Sequence, residues 1–377
     1  DANFTGAVVL GADFTYVTDN SFAATQLYST ASYQARDLSG VKFNGNNLTG
    51  WSLAHQNLSN SDIVSATMVD INLSQANLTG ANLTSSDLTN ASMRGANLTS
   101  TDLSQAILNG ADLGLAHIEG TDFSGASITA AQIYSTASYQ RGNLNGVLFV
   151  GNNLTGWNLA GQDLAGANFV NAWLMDADFT GANVTSTKFR ATPTRGITSA
   201  QLYSTESYQG GDLSGIDLGS SELTGWDFSG QDLTGASFKG SKMSETNFSS
   251  ANLTDAVFQS AWLVGSDLDS ANLTRANFSN ATLSNVDLSN VVLDYANLSS
   301  STLTNSNLSG ADLVFADMRQ SALGGASLAD ANIHGAILQG TTRLGLTASQ
   351  LYSTASYQDG DLSEVDFGSN DLTGWSF

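Results

Sequence analysis

The sequence predicts an all-β fold, a solenoid in which a roughly square coil of about 20 residues stacks on itself. Three observations predict it. A large apolar residue returns every five positions over most of the chain, as at Leu73, Leu78, Leu83 and Leu88. A small apolar residue, usually Ala, stands two positions before it, and polar residues fill the remaining slots. Four blocks break the period, and the bodies between them (38–123, 144–189 and 213–338) span 85, 45 and 125 residues, sizes that step by 40. A step of 40 is two whole coils.

With the large apolar residue as position i, each slot has its own chemistry. A large and a small apolar residue two apart in every five fit neither the 3.6 period of a helix nor the alternation of a strand. They fit a chain that turns a corner every five residues. Position i then points to the axis, Ala at i−2 packs where the wall is tight, and Asn/Asp at i−1 and Ser/Thr at i+1 face water. Gly, Asn or Ser at i+2 suits a tight corner. Coils stack at strand spacing, ~4.8 Å, and their backbones satisfy one another's hydrogen bonds. Each buried Leu or Phe contributes roughly 1.5–3 kcal/mol. About 60 pentads make about 15 coils. The whole of 1–377 is expected to form a single solenoid, with sub-modules 1–25, 26–131, 132–200, 201–349 and 350–377.

Composition narrows the chemistry. The chain has 34 acids against 12 bases, a net charge of −22, and such a surface repels nucleic acid and anionic lipid. It has no cysteine, which excludes a disulfide framework, a thiolate zinc site and thiol chemistry. No apolar run approaches the ~18 residues of a membrane-spanning helix, so a soluble protein without membrane insertion is expected. No signal peptide is seen, and neither end carries a recognisable cap. The repeat is already running at Asp1 and stops in mid-module at Phe377. This reads as a mature or trimmed form, or as a window on a longer array.

The tandem pentads Ala76-Asn77-Leu78-Thr79-Gly80-Ala81-Asn82-Leu83 and Ala311-Asp312-Leu313 resemble the A(D/N)LXX signature of the pentapeptide-repeat family. That resemblance implies a right-handed quadrilateral parallel β-helix. The inserted blocks, with the pattern QLYST…SYQ…LTGW, are similar to modules of pentapeptide-repeat proteins predicted to be exported by planctomycetes and related bacteria.

That block runs over 26–51 and returns at 132–157, 201–226 and 350–375. Thr129, Thr198 and Thr347 stand three residues before Gln132, Gln201 and Gln350, a capping-box spacing, whereas the first copy has Ala23 before Gln26. The spacing predicts a helix of one to two turns over 200–204 and its equivalents, then a turn and a return through Tyr208-Gln209-Gly210-Gly211. Since body lengths differ by whole coils, all four inserts are expected along one edge. Trp51, Trp157, Trp226 and Trp375 occupy slot i−2 of the fourth pentad after each insert, where Ala is usual. Each indole is expected to widen the coil or reach under its insert. With the pairs Tyr28 and Tyr33, Tyr134 and Tyr139, Tyr203 and Tyr208, and Tyr352 and Tyr357, the indoles are expected to anchor insert to wall.

Candidate catalytic groups are scarce. His55, His117 and His334 stand at three different slots, i+2, i−1 and i+1, and Asp pairs such as Asp112 and Asp122 follow from the repeat itself. Neither a metal set nor an acid–base pair is expected, no cofactor-binding fingerprint is present, and the chain is read as non-enzymatic. Sequons such as Asn47-Leu48-Thr49, Asn77-Leu78-Thr79 and Asn252-Leu253-Thr254 arise automatically from the slot pattern. Trp173 and Trp262 differ from the other tryptophans in standing at the outward slot i−1. They are pentads seven and eleven of their bodies, hence expected on the same face as a candidate contact patch.

The resulting expectation is a structural or interaction scaffold: an exported rod, spacer or filament-forming subunit at the surface of a bacterium. Its partner is itself, end to end through open coils, or another protein. Some pentapeptide-repeat proteins resemble duplex DNA in width and charge and act on DNA gyrase. That resemblance implies the alternative of a cytoplasmic acidic mimic, although the four inserts interrupt a smooth DNA-like surface. A glycan- or surface-binding adhesin is the second alternative.

Overall fold

A computed structural model describes residues 2–190 and 195–377. They fall into two compact units, Asp1–Thr187 and Lys188–Phe377, built on the same plan. Each is a right-handed quadrilateral β-helix whose sides contribute single bridging residues rather than long strands. The bridging residue is the one at i−1. On one side of the first unit Asp37, Asn57, Asn77, Asn97 and His117 pair in parallel register, each 20 residues above the last. The Leu58 N–H donates to Asn77 O at 2.7 Å, and the Asn77 N–H donates back to Gln56 O at 2.9 Å. Between sides the chain closes a four-residue turn: the Ser61 N–H donates to Leu58 O at 3.1 Å, with Asn60 at φ 54°.

The slot chemistry now has physical causes. Large residues at i are sealed, with Phe238, Phe258 and Leu298 all 0% exposed. In the second unit Phe258 stacks on Phe278 with ring centroids 4.6 Å apart and planes 3° from parallel. Ser and Thr replace Ala at i−2 because a backbone carbonyl receives the hydroxyl, as when Thr101 Oγ1 donates to Leu78 O at 2.8 Å. The i−1 amide or carboxylate closes a local turn: the Thr89 N–H and Thr89 Oγ1 both donate to Asp87 Oδ1, at 3.0 and 2.6 Å. Asn or Asp at i−1 with Ser or Thr at i+1 is therefore one device.

At the described corners between regular sides position i+2 carries positive φ, and most of these corners use Gly, Asn, Ser or Asp. Leu115 is an exception, at φ 60° and 46% exposed. An ordinary side chain in the left-handed region costs roughly 1–2 kcal/mol, and Asn tolerates it better. Leu115→Asn is therefore expected to stabilise the chain by up to about 1 kcal/mol, read as a higher melting temperature.

Ladders register where the inserts enter. In the first unit one ladder runs Asp13, Lys42, Asp62, Asn82, Asp102, Asp122, Leu148 and Asn168, passing both inserts. Its steps are 20 residues except from Asp13 to Lys42 (29) and from Asp122 to Leu148 (26). In the second unit Lys188 pairs with Asp217 and Ile337 with Asp366, again 29 residues on. Each insert is thus a coil lengthened by nine or six residues without loss of register.

The added residues fold mainly as pairs of short helices: α1 (Ala24–Tyr28) and α2 (Ala31–Gln34), α3 (Ala130–Tyr134) and α4 (Ala137–Gln140), α5 (Ser199–Tyr203) and α6 (Glu206–Gln209), α7 (Ala348–Tyr352) and α8 (Ala355–Gln358). Each pair lies on the corner just before the side opened by Leu38, Leu144, Leu213 or Leu362. The two inserts of one unit thus share a corner, in both units. The first and fourth inserts also contain a 3-10 turn, at Thr18–Asn20 and Thr342–Leu344. The second insert lacks it because Ile128 keeps the pentad step.

The expected single helix is corrected in one respect. The first helix forms, over Ser199–Tyr203 in the third copy, but the return through Tyr208 and Gln209 is a second helix rather than a loop. Thr205 makes it so, since its hydroxyl accepts the Tyr208 N–H at 3.1 Å and caps the new helix.

Candidate functional site: the corner hairpins and the outward tryptophans

At the second insert the ladders through Ile107, Asp112 and His117 break while that through Asp122 continues, and side chains of the hairpin replace missing backbone partners. In the second copy Thr129 and Gln132 form the capping box: Thr129 N–H donates to Gln132 Oε1 at 2.9 Å, and Gln132 N–H to Thr129 Oγ1 at 3.4 Å. Gln132 Nε2 then reaches the coil below, donating to Leu108 O and Ala111 O at 2.7 and 3.0 Å. Gln350 repeats this on Leu323 O and Ala326 O, at 2.8 and 2.7 Å. The first copy has no hydroxyl at Ala23, yet the Gln half survives, with Ala23 N–H donating to Gln26 Oε1 at 2.7 Å.

The second helix serves the same lower coil. Val9, Ile118 and Ile333 would each donate their N–H to a carbonyl one coil up. They meet Ser32, Ser138 and Ser356 Oγ instead, at 2.9, 2.8 and 2.9 Å. Ala31, Ala137 and Ala355 N–H groups donate down to Ala7, Ala116 and Ala331 carbonyls, at 2.9, 2.9 and 3.0 Å.

Above, the tyrosines take over. Ser52 N–H donates to Tyr28 Oη at 2.6 Å, while Tyr33 Oη donates to Ser52 O at 2.9 Å. One residue is thus gripped at both its polar groups. Tyr203 and Tyr208 hold Asp227 in the same way, at 2.6 and 2.9 Å. Tyr134 and Tyr139 hold Asn158, and Tyr352 and Tyr357 hold Ser376. The gripped residue follows the tryptophan directly. Trp51, Trp157 and Trp226 are buried, with the first tyrosine of each pair edge-on at 6.4, 6.4 and 6.3 Å. Trp375 is only half-buried and meets Phe377 at 6.5 Å.

The outward tryptophans occupy the third side of the coil, counted from the side that follows each hairpin. Trp173 bridges to Asn153 in the first unit, and Trp262 bridges to Lys242 and Thr282 in the second. They are 38% and 57% exposed, beside Met175 (59%) and Val264 (37%). The histidines do not converge. His55 is exposed at a corner with φ 61°, and His117 Nδ1 lies 3.0 Å from Arg141 Nη2, whose guanidinium also pairs with Glu119. In the second unit His334 meets the Phe315 ring edge-on at 5.6 Å and lies 3.9 Å from the Asp361 carboxylate. Asp112 and Asp122 sit on opposite sides of the coil, each closing its own turn, through Gly114 and Ser124. Among the described residues no group of three His, Cys, Asp or Glu is placed to hold a metal ion. Among them, too, no helix is long and apolar enough to cross a membrane.

The model of "Pentapeptide repeats (8 copies)" matches the sequence over 37–75, 66–105, 76–114, 142–190, 212–249, 251–290, 271–310, 283–320 and 306–342, more than half of the chain. The chain belongs to the pentapeptide-repeat family. Among solved structures it is similar to HetL, a pentapeptide-repeat protein involved in heterocyst differentiation regulation in the cyanobacterium Nostoc. Identity is 21%, over 81% of this chain and 95% of that one, with a TM-score of 0.21. It is also similar to a trypsin-treated form of QnrB1, a plasmid-mediated fluoroquinolone resistance protein, at 16% identity over 81% and 91% of the two chains and a TM-score of 0.24. Rfr23 from the cyanobacterium Cyanothece shares 20% identity over 45% of this chain and 92% of its own, with a TM-score of 0.12. Among curated proteins none matches.

Within this pentapeptide-repeat chain one part of the hairpin site escaped the sequence reading. Gln56, Gln162 and Gln231 stand five residues after each buried Trp, in a slot that Ala usually fills, and are 3%, 6% and 7% exposed. Their Nε2 groups donate to Tyr33, Tyr139 and Tyr208 carbonyls at 3.1, 3.2 and 3.1 Å, closing the C-terminal end of each second helix. Extending the repeated block one pentad past its Trp would have found them.

The tyrosine grip sets an alkaline limit. Burial pushes the Tyr208 phenol from its ordinary 10.0 up to about 12, with the Asp227 and Tyr203 charges adding to it. Burial likewise raises Tyr33, Tyr139 and Tyr203. Above pH 10 the folded chain keeps protons that the unfolded chain has lost, so this contribution is complete below pH 10 and disappears as pH rises through about 12. Circular dichroism against pH is expected to show alkaline unfolding in that window, and Tyr208→Phe to flatten its slope.

Proposed function

We propose that the chain is a non-enzymatic scaffold, an exported rod, spacer or filament-forming subunit that associates with copies of itself or with another protein. One observation carries this reading: the hairpins spend their polar groups on the coils directly below and above, at one corner of each unit, whatever length of body separates them. Such inserts brace a wall and let body length vary, which suits a spacer. The resemblance of the insert blocks to exported modules supports a place outside a bacterial cell. Negative-stain microscopy of concentrated protein is expected to show elongated assemblies, and dispersed short particles at every concentration would count against self-association.

A second reading, an acidic mimic acting on DNA gyrase or another DNA-binding protein, is supported by one side of the second unit. Its outward slots carry Asp227, Asp267, Asp269 and Asp287 and, among the described residues, neither Lys nor Arg. A supercoiling assay decides it, since an acidic mimic inhibits or protects the enzyme and a spacer does neither. The exposed Trp262 with Val264, and Trp173 with Met175, support a glycan- or surface-binding face. Trp173→Ala combined with Trp262→Ala is then expected to abolish retention on the glycan, and unchanged retention would dismiss it.

A further inference from the structure

Eight of the ten tyrosines lie in the hairpins, and they form four close pairs of tilted rings. Ring centroids are 4.5, 4.6, 4.4 and 4.6 Å apart, with planes 30–32° from parallel. Ring proximity alone does not align the reactive positions; the grip does. Both hydroxyls of a pair meet the same residue of the next coil, one at its N–H and one at its C=O, so the two phenol ends are held side by side. The rings are half-buried, so each keeps a part of its surface open to solvent.

We propose that each hairpin is a site of oxidative tyrosine coupling, taking hydrogen peroxide with a haem peroxidase as its oxidant. Each phenol of a pair loses one electron and one proton. The two radicals join through ring carbons ortho to the hydroxyls, and both rings then shed the hydrogen at the new bond to the phenolic oxygens. Two phenols and one peroxide give one dityrosine and two waters. Holding both radicals in one hairpin makes the bond-forming step unimolecular, so it outruns coupling between chains. The indole 6.3–6.4 Å from the first tyrosine in three copies passes on an electron hole formed at the wall. The product ties the two helices of the hairpin together beside the residue they grip.

Peptide mapping of the intact wild-type chain tests this. No Lys or Arg separates the tyrosines of a pair, and the tryptic peptides 95–141, 196–239 and 344–377 each hold one pair and no other tyrosine. After dilute peroxide and peroxidase, each peptide is expected to lose two hydrogens and to show dityrosine fluorescence while the protein still migrates as a single chain. Tyr134→Phe should abolish the loss in 95–141 and leave the other two peptides unchanged. The proposal is overturned if the three peptides keep their mass while dityrosine forms only in cross-linked dimers through the exposed Tyr16 and Tyr295, or if no dityrosine forms at all.

Discussion

Phe258→Ala is expected to destabilise the unit Lys188–Phe377 by about 3–5 kcal/mol, the usual cost of emptying a buried aromatic site. The ring is sealed from water and lies in a column of stacked neighbours, Phe238 at 5.1 Å on one side and Phe278 at 4.6 Å on the other, with Phe248 edge-on at 5.8 Å. A coil braced by closely hydrogen-bonded coils cannot collapse into the space, so the cavity persists. Since each coil touches only its neighbours, the loss should appear first as local opening around that coil. Hydrogen exchange mapped by mass spectrometry should then show faster exchange near 240–280 than at 300–340.

Trp157→Ala is expected to cost a similar amount, about 3–5 kcal/mol, and for a different reason. This indole is 6% exposed, between Tyr134 at 6.4 Å and Phe149 at 5.6 Å, at the join between hairpin and wall. Removing it takes away the surface that positions Tyr134, so the grip on Asn158 should loosen with it. Trp262→Ala provides the contrast. That side chain is 57% exposed, and its loss should stay within about 0.5 kcal/mol by chemical denaturation. Equal effects of the two substitutions would contradict the division into wall anchors and outward tryptophans.

The five-residue period makes the coil legible because burial is decided slot by slot: a Leu at i, an Ala at i−2 and an Asx turn at i−1 each follow from local geometry. The step of 40 between body lengths likewise forecasts that the two inserts of a unit share a corner, as Asp13–Lys42 and Asp122–Leu148 show in the first. The second helix was not legible, since a four-residue segment such as Ala137–Gln140 is too short to display a helical period. Its only sequence signal is the capping Thr136. Nor was the role of the tyrosine hydroxyls. Aromatic glue was expected from residue type, but that two phenols replace a ladder's N–H and C=O partners depends on where a hairpin leaves the wall.

The hairpin as a polar replacement for an interrupted coil is the claim on which the rest depends, and the exchange rate of one amide tests it most directly. The Asn158 N–H has no coil beneath it and donates to Tyr134 Oη. In the wild-type chain that amide should exchange slowly, and in Tyr134→Phe it should exchange at least tenfold faster, while Asn168, bonded to Val147 O at 3.0 Å, keeps its protection. Equal exchange at Asn158 in both proteins would contradict the account.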